Sequence, residues 1–222
     1  GGGAFLIIYL LIVAVVGTSV MMAEFTIGRK THRGSVGALR MLNEKFAWIG
    51  GLGVLTGFII VCYYCQVGGW AMYYIAAYIT DVQTVWADPM AYFLGMLGAN
   101  GLPIGAIVWG FIFMLLTAFI ISHGTAGIEK MSKILMPVLF VLLIGLMIRS
   151  CTLPGASEGI AYMLHVDFST INTTAILTAL GQAFFSLSLG MGVMITYASY
   201  LSSEDNLVSN TGIVCVLDTL VA

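Results

Sequence analysis

Asp218 is the one charge in the apolar run from Leu207 to the last residue, Ala222. An ionisable side chain at membrane depth is a functional candidate by default, because leaving it unpaired there is costly. The stretch 181–200 is the second candidate, with Ser186, Ser188, Gly190 and Gly192 concentrated at its middle. A helix interrupted at mid-membrane would present free carbonyls and helix ends to ions and small molecules. Small residues packing one helix closely on another, in the Gly-x-x-x-Gly manner, would read the same way. Composition leaves both readings open. Other chemistry is argued down by what is absent. Every Lys, and His32, His123 and His165, is placed in a loop, which leaves no mid-membrane Schiff-base lysine or haem ligand. No His-Glu-x-x-His pair occurs. Cys62-x-x-Cys65 has redox spacing, but in an apolar helix it reads as packing. The sequon Asn172-Thr-Thr174 falls close to the membrane and reads as chance. No enzyme is expected.

The elements that must carry these residues follow from the charge pattern. Hydrophobic residues make up 60% of the 222, charged ones 8%, and the mean hydropathy is +1.04. That much apolar surface excludes a water-soluble domain and a disordered chain. A net charge of −2 and a pI near 5.8 remove the electrostatic case for nucleic-acid binding. Four Cys do not make a disulfide scaffold. Residues 4–23, 46–80, 89–122, 134–148 and 168–203 are uncharged, and a last run starts at Leu207. A span needs about 20 apolar residues, and strict alternation, the mark of a membrane barrel, is missing. About six transmembrane helices are expected, some incomplete. The run 46–80 would extend roughly 52 Å as a helix, beyond the ~30 Å hydrocarbon core, so it must tilt or protrude. The turn cluster at 98–103 predicts a helix start near Ile104, and Pro154-Gly155 marks a loop.

Basic residues set the orientation. Arg29, Lys30, Arg33, Arg40 and Lys45 share one loop, and Lys130 and Lys133 share another two crossings later. Arg149 alone falls on the opposite side. The positive-inside rule makes the first side cytoplasmic, so the segments Asp81–Asp88 and Cys151–Asp167 are external. The chain opens on Gly1-Gly-Gly without an initiator Met and stops inside an apolar run. It is read as an internal piece of a longer transporter or channel.

Several motifs, in order along the chain, resemble the neurotransmitter:sodium symporter family. They are Gly1-Gly-Gly-Ala-Phe-Leu-Ile-Ile-Tyr9, Glu24-Phe-Thr-Ile-Gly-Arg29, Tyr63-Tyr64 with Trp70, and Gly127-Ile-Glu-Lys130 with Met136-Pro137. Gln182-Ala-Phe-Phe-Ser-Leu-Ser-Leu-Gly-Met-Gly192 and Thr196-Tyr-Ala-Ser-Tyr200 complete the match. The resemblance implies an all-α membrane protein with a fragment of the leucine-transporter fold, one helix broken mid-membrane. It makes residues 1–222 a single transmembrane domain fragment, running from the second family helix into the seventh. The first helix would precede Gly1, and the eighth would follow Ala222. The short external segment 81–103 lacks the cysteine pair of animal carriers, which favours the prokaryotic amino-acid branch and a bacterial inner membrane.

The resemblance also assigns roles. Tyr64 matches the tyrosine that contacts the substrate carboxylate, Ile60 an apolar wall position, and Phe185 the aromatic lid. Ser188 and Met191 flank the substrate at the break, and Met suits an adaptable, fairly large apolar pocket. Tyr64, Phe185 and Ser188 are thus expected around one cavity. Ser186 matches a sodium ligand that also serves chloride in chloride-dependent members, and Tyr9 and Gln182 match two further chloride-site positions. Glu24 resembles the acid that supports the unwound segment, with an exposed cytoplasmic charge as the alternative, and Tyr200 matches the inner-gate tyrosine. Asp218 falls where a sodium-ligating Asn is usual, and Ala222 falls where Glu or Ser is usual. An acid at 218 could stand in for the anion, so sodium is expected as coupling ion and chloride is not. The function implied is a sodium-coupled symporter importing an amino acid by alternating access. A non-transporting sensor on the same fold and an ion channel are the alternatives.

Overall fold

The computed structural model describes residues 2–99 and 101–222, and the backbone but not the side chain of Thr170. Every regular element among them is helical. Helix α1 (Gly2–Ile12) passes through a π-helical turn, Val13–Gly17, into α2 (Thr18–Thr31), which makes one 30-residue span. The hydroxyl of Thr18 donates back to the carbonyl of Val13 at 3.1 Å across that wide turn. His32 ends α2 in the left-handed conformation, and Arg29 and Lys30 lie in its last turn, where the helix dipole favours cations. Short α3 (Ser35–Leu42) leads to α4 (Ala47–Thr80), whose 34 residues bear out the expectation of a helix longer than the bilayer core.

The segment after α4 is helical as well. Asp81 caps α5 (Val82–Ala87) and Asp88 caps α6 (Pro89–Met96), with the Asp88 carboxylate accepting from the Ala91 amide at 2.9 Å. Proline directly after the cap residue suits the first helical position. Helix α7 (Ile104–Ser122) starts at the expected residue. Only His123 separates it from α8 (Gly124–Cys151). Lys130 and Lys133 are therefore not in a loop, as the charge pattern had them. They sit on the first turns of α8, where Glu129 and Lys133 pair at i,i+4. A 28-residue helix overreaches the hydrocarbon, so its charged turns can stay in water.

After Pro154-Gly155, α9 (Ala156–Leu164) precedes α10 (Thr173–Ser186), capped by Asn172 at 2.8 Å. The sequon asparagine thus has a structural task. Then come α11 (Val193–Ala198) and α12 (Leu207–Val221). Four stretches are long and apolar enough to cross a membrane: Gly2–Thr31, Glu44–Thr80, Ile104–Ser122 and Gly124–Cys151. The α10–α11 pair and α12 are the shorter members of the expected six.

The chain forms two compact units. The first comprises residues 1–58 and 151–222. Its core gathers Tyr9, Val13, Met21, Phe25, Ala179, Ala183, Leu187, Leu189, Ala198 and Cys215 from α1, α2, α10, α11, α12 and the loop after α10. Small residues set the spacing. A Cβ on Gly28 would lie 2.2 Å from the carbonyl oxygen of Ile195, and one on Gly53 would lie 2.8 Å from that of Met191. Such approaches let helices pack without a hydrophobic driving force. The second unit is residues 59–150. There α4 and α7 meet where a Cβ on Gly69 would come 2.4 Å from the Gly110 nitrogen. The rings of Tyr73, Tyr74 and Tyr92 cluster at centroid distances of 5.8–6.4 Å where α4 and α6 meet.

Candidate functional site

The middle of 181–200 is a broken helix. Helix α10 stops at Ser186, α11 starts at Val193, and six residues between them are non-helical. The ending has a definite geometry. The Leu189 amide donates to the Phe184 carbonyl at 2.9 Å, and the Ser188 amide donates to the Phe185 carbonyl at 3.2 Å. This is the Schellman pattern, with Ser188 at the left-handed position, φ +54°, that glycine normally takes. Gly190 (φ +78°) and Gly192 (φ +73°) supply the next reversals without a Cβ penalty. The carbonyls of Leu187, Leu189 and Gly190 take no backbone hydrogen bond among the described residues.

A β-carbon in the left-handed region costs about 1 kcal/mol. Ser188→Gly is therefore expected to raise the stability of the intact protein by roughly that amount, read as a higher thermal midpoint without ligand. A lower midpoint would mean that the hydroxyl, not the backbone, decides the position.

Helix α2 holds the break in place. Glu24 is buried, and its Oε1 accepts from the Gly190 amide at 2.7 Å. The exposed-charge alternative for Glu24 is thereby excluded. One turn on, Gly28 touches the Ile195 backbone. Arg29 Nη1 then donates to the Asp205 carbonyl at 2.7 Å, and His32 Nδ1 to that of Ser199 at 2.9 Å. Because a carbonyl only accepts, Nδ1 carries the His32 proton. Gly28 and Gly53 were not among the residues singled out from the sequence. Gly28 stands inside the Glu24–Arg29 motif, and that is the only signal it gives.

Ser186 and Asp218 are brought together. The Ser186 hydroxyl donates to Asp218 Oδ2 at 2.6 Å, a length typical of a charge-assisted O–H···O⁻ bond. Asp218 is half-buried on α12, so it does not simply face water at a helix end. Hydroxyl and carboxylate oxygens suit a hard cation. The Tyr9 hydroxyl is buried in the same unit and, like Thr219 Oγ1, has no hydrogen-bond partner among the described residues. Gln182 is exposed on α10. No group of three or more His, Cys, Asp or Glu able to hold a metal occurs among the described residues.

The remaining expected residues belong to both units. Phe185 is 45% exposed, Met191 is half-buried beside Gly53, and Tyr200 is 69% exposed in the turn after α11. Ile60 and Tyr64 lie on the part of α4 that belongs to the second unit, where Tyr64 meets Tyr63 edge-on at 5.9 Å. Cys62 and Cys65 are free thiols.

The model of the sodium:neurotransmitter symporter family matches residues 1–94 and 92–222. This chain belongs to that family. It is 36% identical to an uncharacterized sodium-dependent transporter of Haemophilus influenzae, over 100% of this chain and 51% of the relative. Against an uncharacterized sodium-dependent transporter of Methanocaldococcus jannaschii the identity is 38%, over 98% and 46%. Among solved structures it matches MhsT in complex with L-phenylalanine, at 40% identity and a TM-score of 0.89, covering 100% of this chain and 51% of that one. The fold is thus that of the leucine-transporter class, and the chain spans about half the length of these relatives.

Proposed function

We propose that the full-length protein containing these residues is a sodium-coupled symporter that imports an amino acid by alternating access. The observation that carries this is the Ser186–Asp218 pair at the end of a helix broken mid-run. It combines an anionic oxygen, a hydroxyl and free carbonyls, the donors a sodium ion needs. Sodium would bind at Ser186 and Asp218, with Tyr9 and Gln182 in the surrounding polar set and no chloride needed. Substrate contact is assigned to Ile60, Tyr64, Phe185, Ser188 and Met191, support of the break to Glu24, and the inner gate to Tyr200. The adaptable Met191 and the phenylalanine bound to MhsT favour a large apolar amino acid. The same reading assigns the protein to a bacterial inner membrane, and the positive-inside rule supports an orientation with Lys130 on the cytoplasmic side.

Counterflow of labelled phenylalanine in proteoliposomes of the full-length protein separates transport from sensing. Accelerated exchange is expected; saturable binding without exchange would point to the sensor. Because the relatives are about twice as long, these 222 residues expressed alone are expected to give no sodium-dependent uptake. Uptake by this piece would show that the half of the relatives' length beyond it is not needed for transport.

A further inference from the structure

The π-helical turn Val13–Gly17 has no part in the function proposed above, yet it decides which way the long α1–α2 span faces. Tyr9 and Val13 before the turn are buried, as are Met21, Phe25 and Gly28 after it. At about 100° per residue, an unbroken α-helix would rotate the second set roughly 100° away from the first. A π-turn holds one residue more than an α-turn, and that extra residue removes the offset. The core therefore meets one continuous stripe. Along it α1 packs against α10, and α2 packs against α11 and α12.

Ser186 ends α10 and Asp218 lies on α12, and their side chains meet at 2.6 Å. Those two helices have no extensive contact of their own among the described residues. The span between them holds them together, and the π-turn and the residue that closes it touch both. Toward α10 the contact is Leu187, the residue after Ser186. It is buried, and a Cβ on Gly17 would sit 2.6 Å from its Cδ1. Toward α12 the contact is Cys215, also buried, one turn before Asp218 on the same helix face. The Thr18 hydroxyl, bonded to the Val13 carbonyl at 3.1 Å, lies 3.7 Å from Cys215 Sγ. We infer that this turn positions the Ser186–Asp218 pair, Gly17 seating Ser186 through Leu187 and Thr18 seating Asp218 through Cys215. Thr18 is thus a positioning residue and not an ion ligand. The inference rests on the reading of Ser186 and Asp218 as the sodium site.

The test follows the thermal midpoint of the full-length protein as sodium gluconate replaces choline gluconate. Sodium that binds the folded state raises the midpoint, so the titration yields a half-saturating concentration without any transport. Thr18→Ala is expected to raise that concentration about fivefold, the scale of one hydrogen bond, with the sodium-free midpoint nearly unchanged. Thr18→Ser keeps the hydroxyl and is expected to restore the wild-type value. Gly17→Ala carries the same test to the α10 side and is expected to raise the concentration as well. Ser19→Ala is the control. It removes the neighbouring exposed hydroxyl, bonded to the Val15 carbonyl at 2.6 Å, and is expected to leave the sodium response as it is. Wild-type half-saturation in both Thr18→Ala and Gly17→Ala would overturn the inference. An equal rise in Ser19→Ala would overturn it too, by assigning the effect to the helix as a whole. So would a lower sodium-free midpoint in Thr18→Ala with half-saturation unchanged, which is the mark of a purely structural residue. Absence of any sodium response in the wild type is a different failure, because it would remove the sodium site itself.

Discussion

Asp218→Asn, made in the full-length transporter, is expected to lower chloride-free sodium-driven uptake about a hundredfold, with partial recovery when chloride is added. The argument is electrostatic. A carboxylate ~5 Å from a sodium ion contributes about 3 kcal/mol at an effective dielectric of ~20, before desolvation. Asn keeps the shape and one carbonyl oxygen but removes the charge, and the Ser186 hydroxyl then loses its anionic acceptor. A halide near Ser186 would restore a negative charge at that place. An Asp218→Asn variant that transports normally without chloride would remove Asp218 from the coupling.

Gly28→Ala is expected to be the most damaging single-methyl change in the α2–α11 contact. The new Cβ would stand 2.2 Å from the Ile195 carbonyl oxygen and 2.8 Å from the Ala198 Cβ. The first of these is backbone and cannot rotate away, so the helices must separate. Overpacking of this kind costs roughly 1–3 kcal/mol. It also moves the anchor beside Glu24 and Arg29, which hold Gly190 and the Asp205 turn. A clear fall in thermal midpoint and in uptake is expected. Gly181→Ala serves as the control, because nothing lies within 4 Å of its Cβ position. There the loss of glycine from a helix should be neutral or stabilising by up to about 1 kcal/mol. Equal midpoints for Gly28→Ala and the wild type would show that α2 and α11 are not in close contact in the membrane.

What could be read from the sequence depended on the length scale of the signal. Helix positions came from charge-free runs and turn clusters, and the start at Ile104 was legible because Pro103 punctuates the pattern, whereas the Ser186–Gly192 stretch read equally as a break or as close helix packing until the family resemblance favoured the break. Charged residues were less informative about where helices end. Lys130 and Lys133 looked like loop residues because a charge says where water is, not where hydrogen bonding stops. The segments between the long spans held α5, α6 and α9, short helices set by Asp and Gly caps that hydropathy does not register. Asp218 was conspicuous as an acid in an apolar run, but its hydroxyl partner lies 32 residues away and could be named only through the family resemblance. The contact of Gly28 with Ile195 depends on how two helices dock, and no local pattern encodes it.

The central claim is that sodium binding at the broken helix drives amino-acid entry. Its most direct test is uptake of labelled phenylalanine into proteoliposomes of the full-length protein, with an inward sodium gradient and gluconate replacing chloride throughout. The account predicts accumulation that collapses when the sodium gradient is dissipated and is lost in Asp218→Asn. Accumulation that is indifferent to the sodium gradient, or that requires chloride in the wild type, would contradict it.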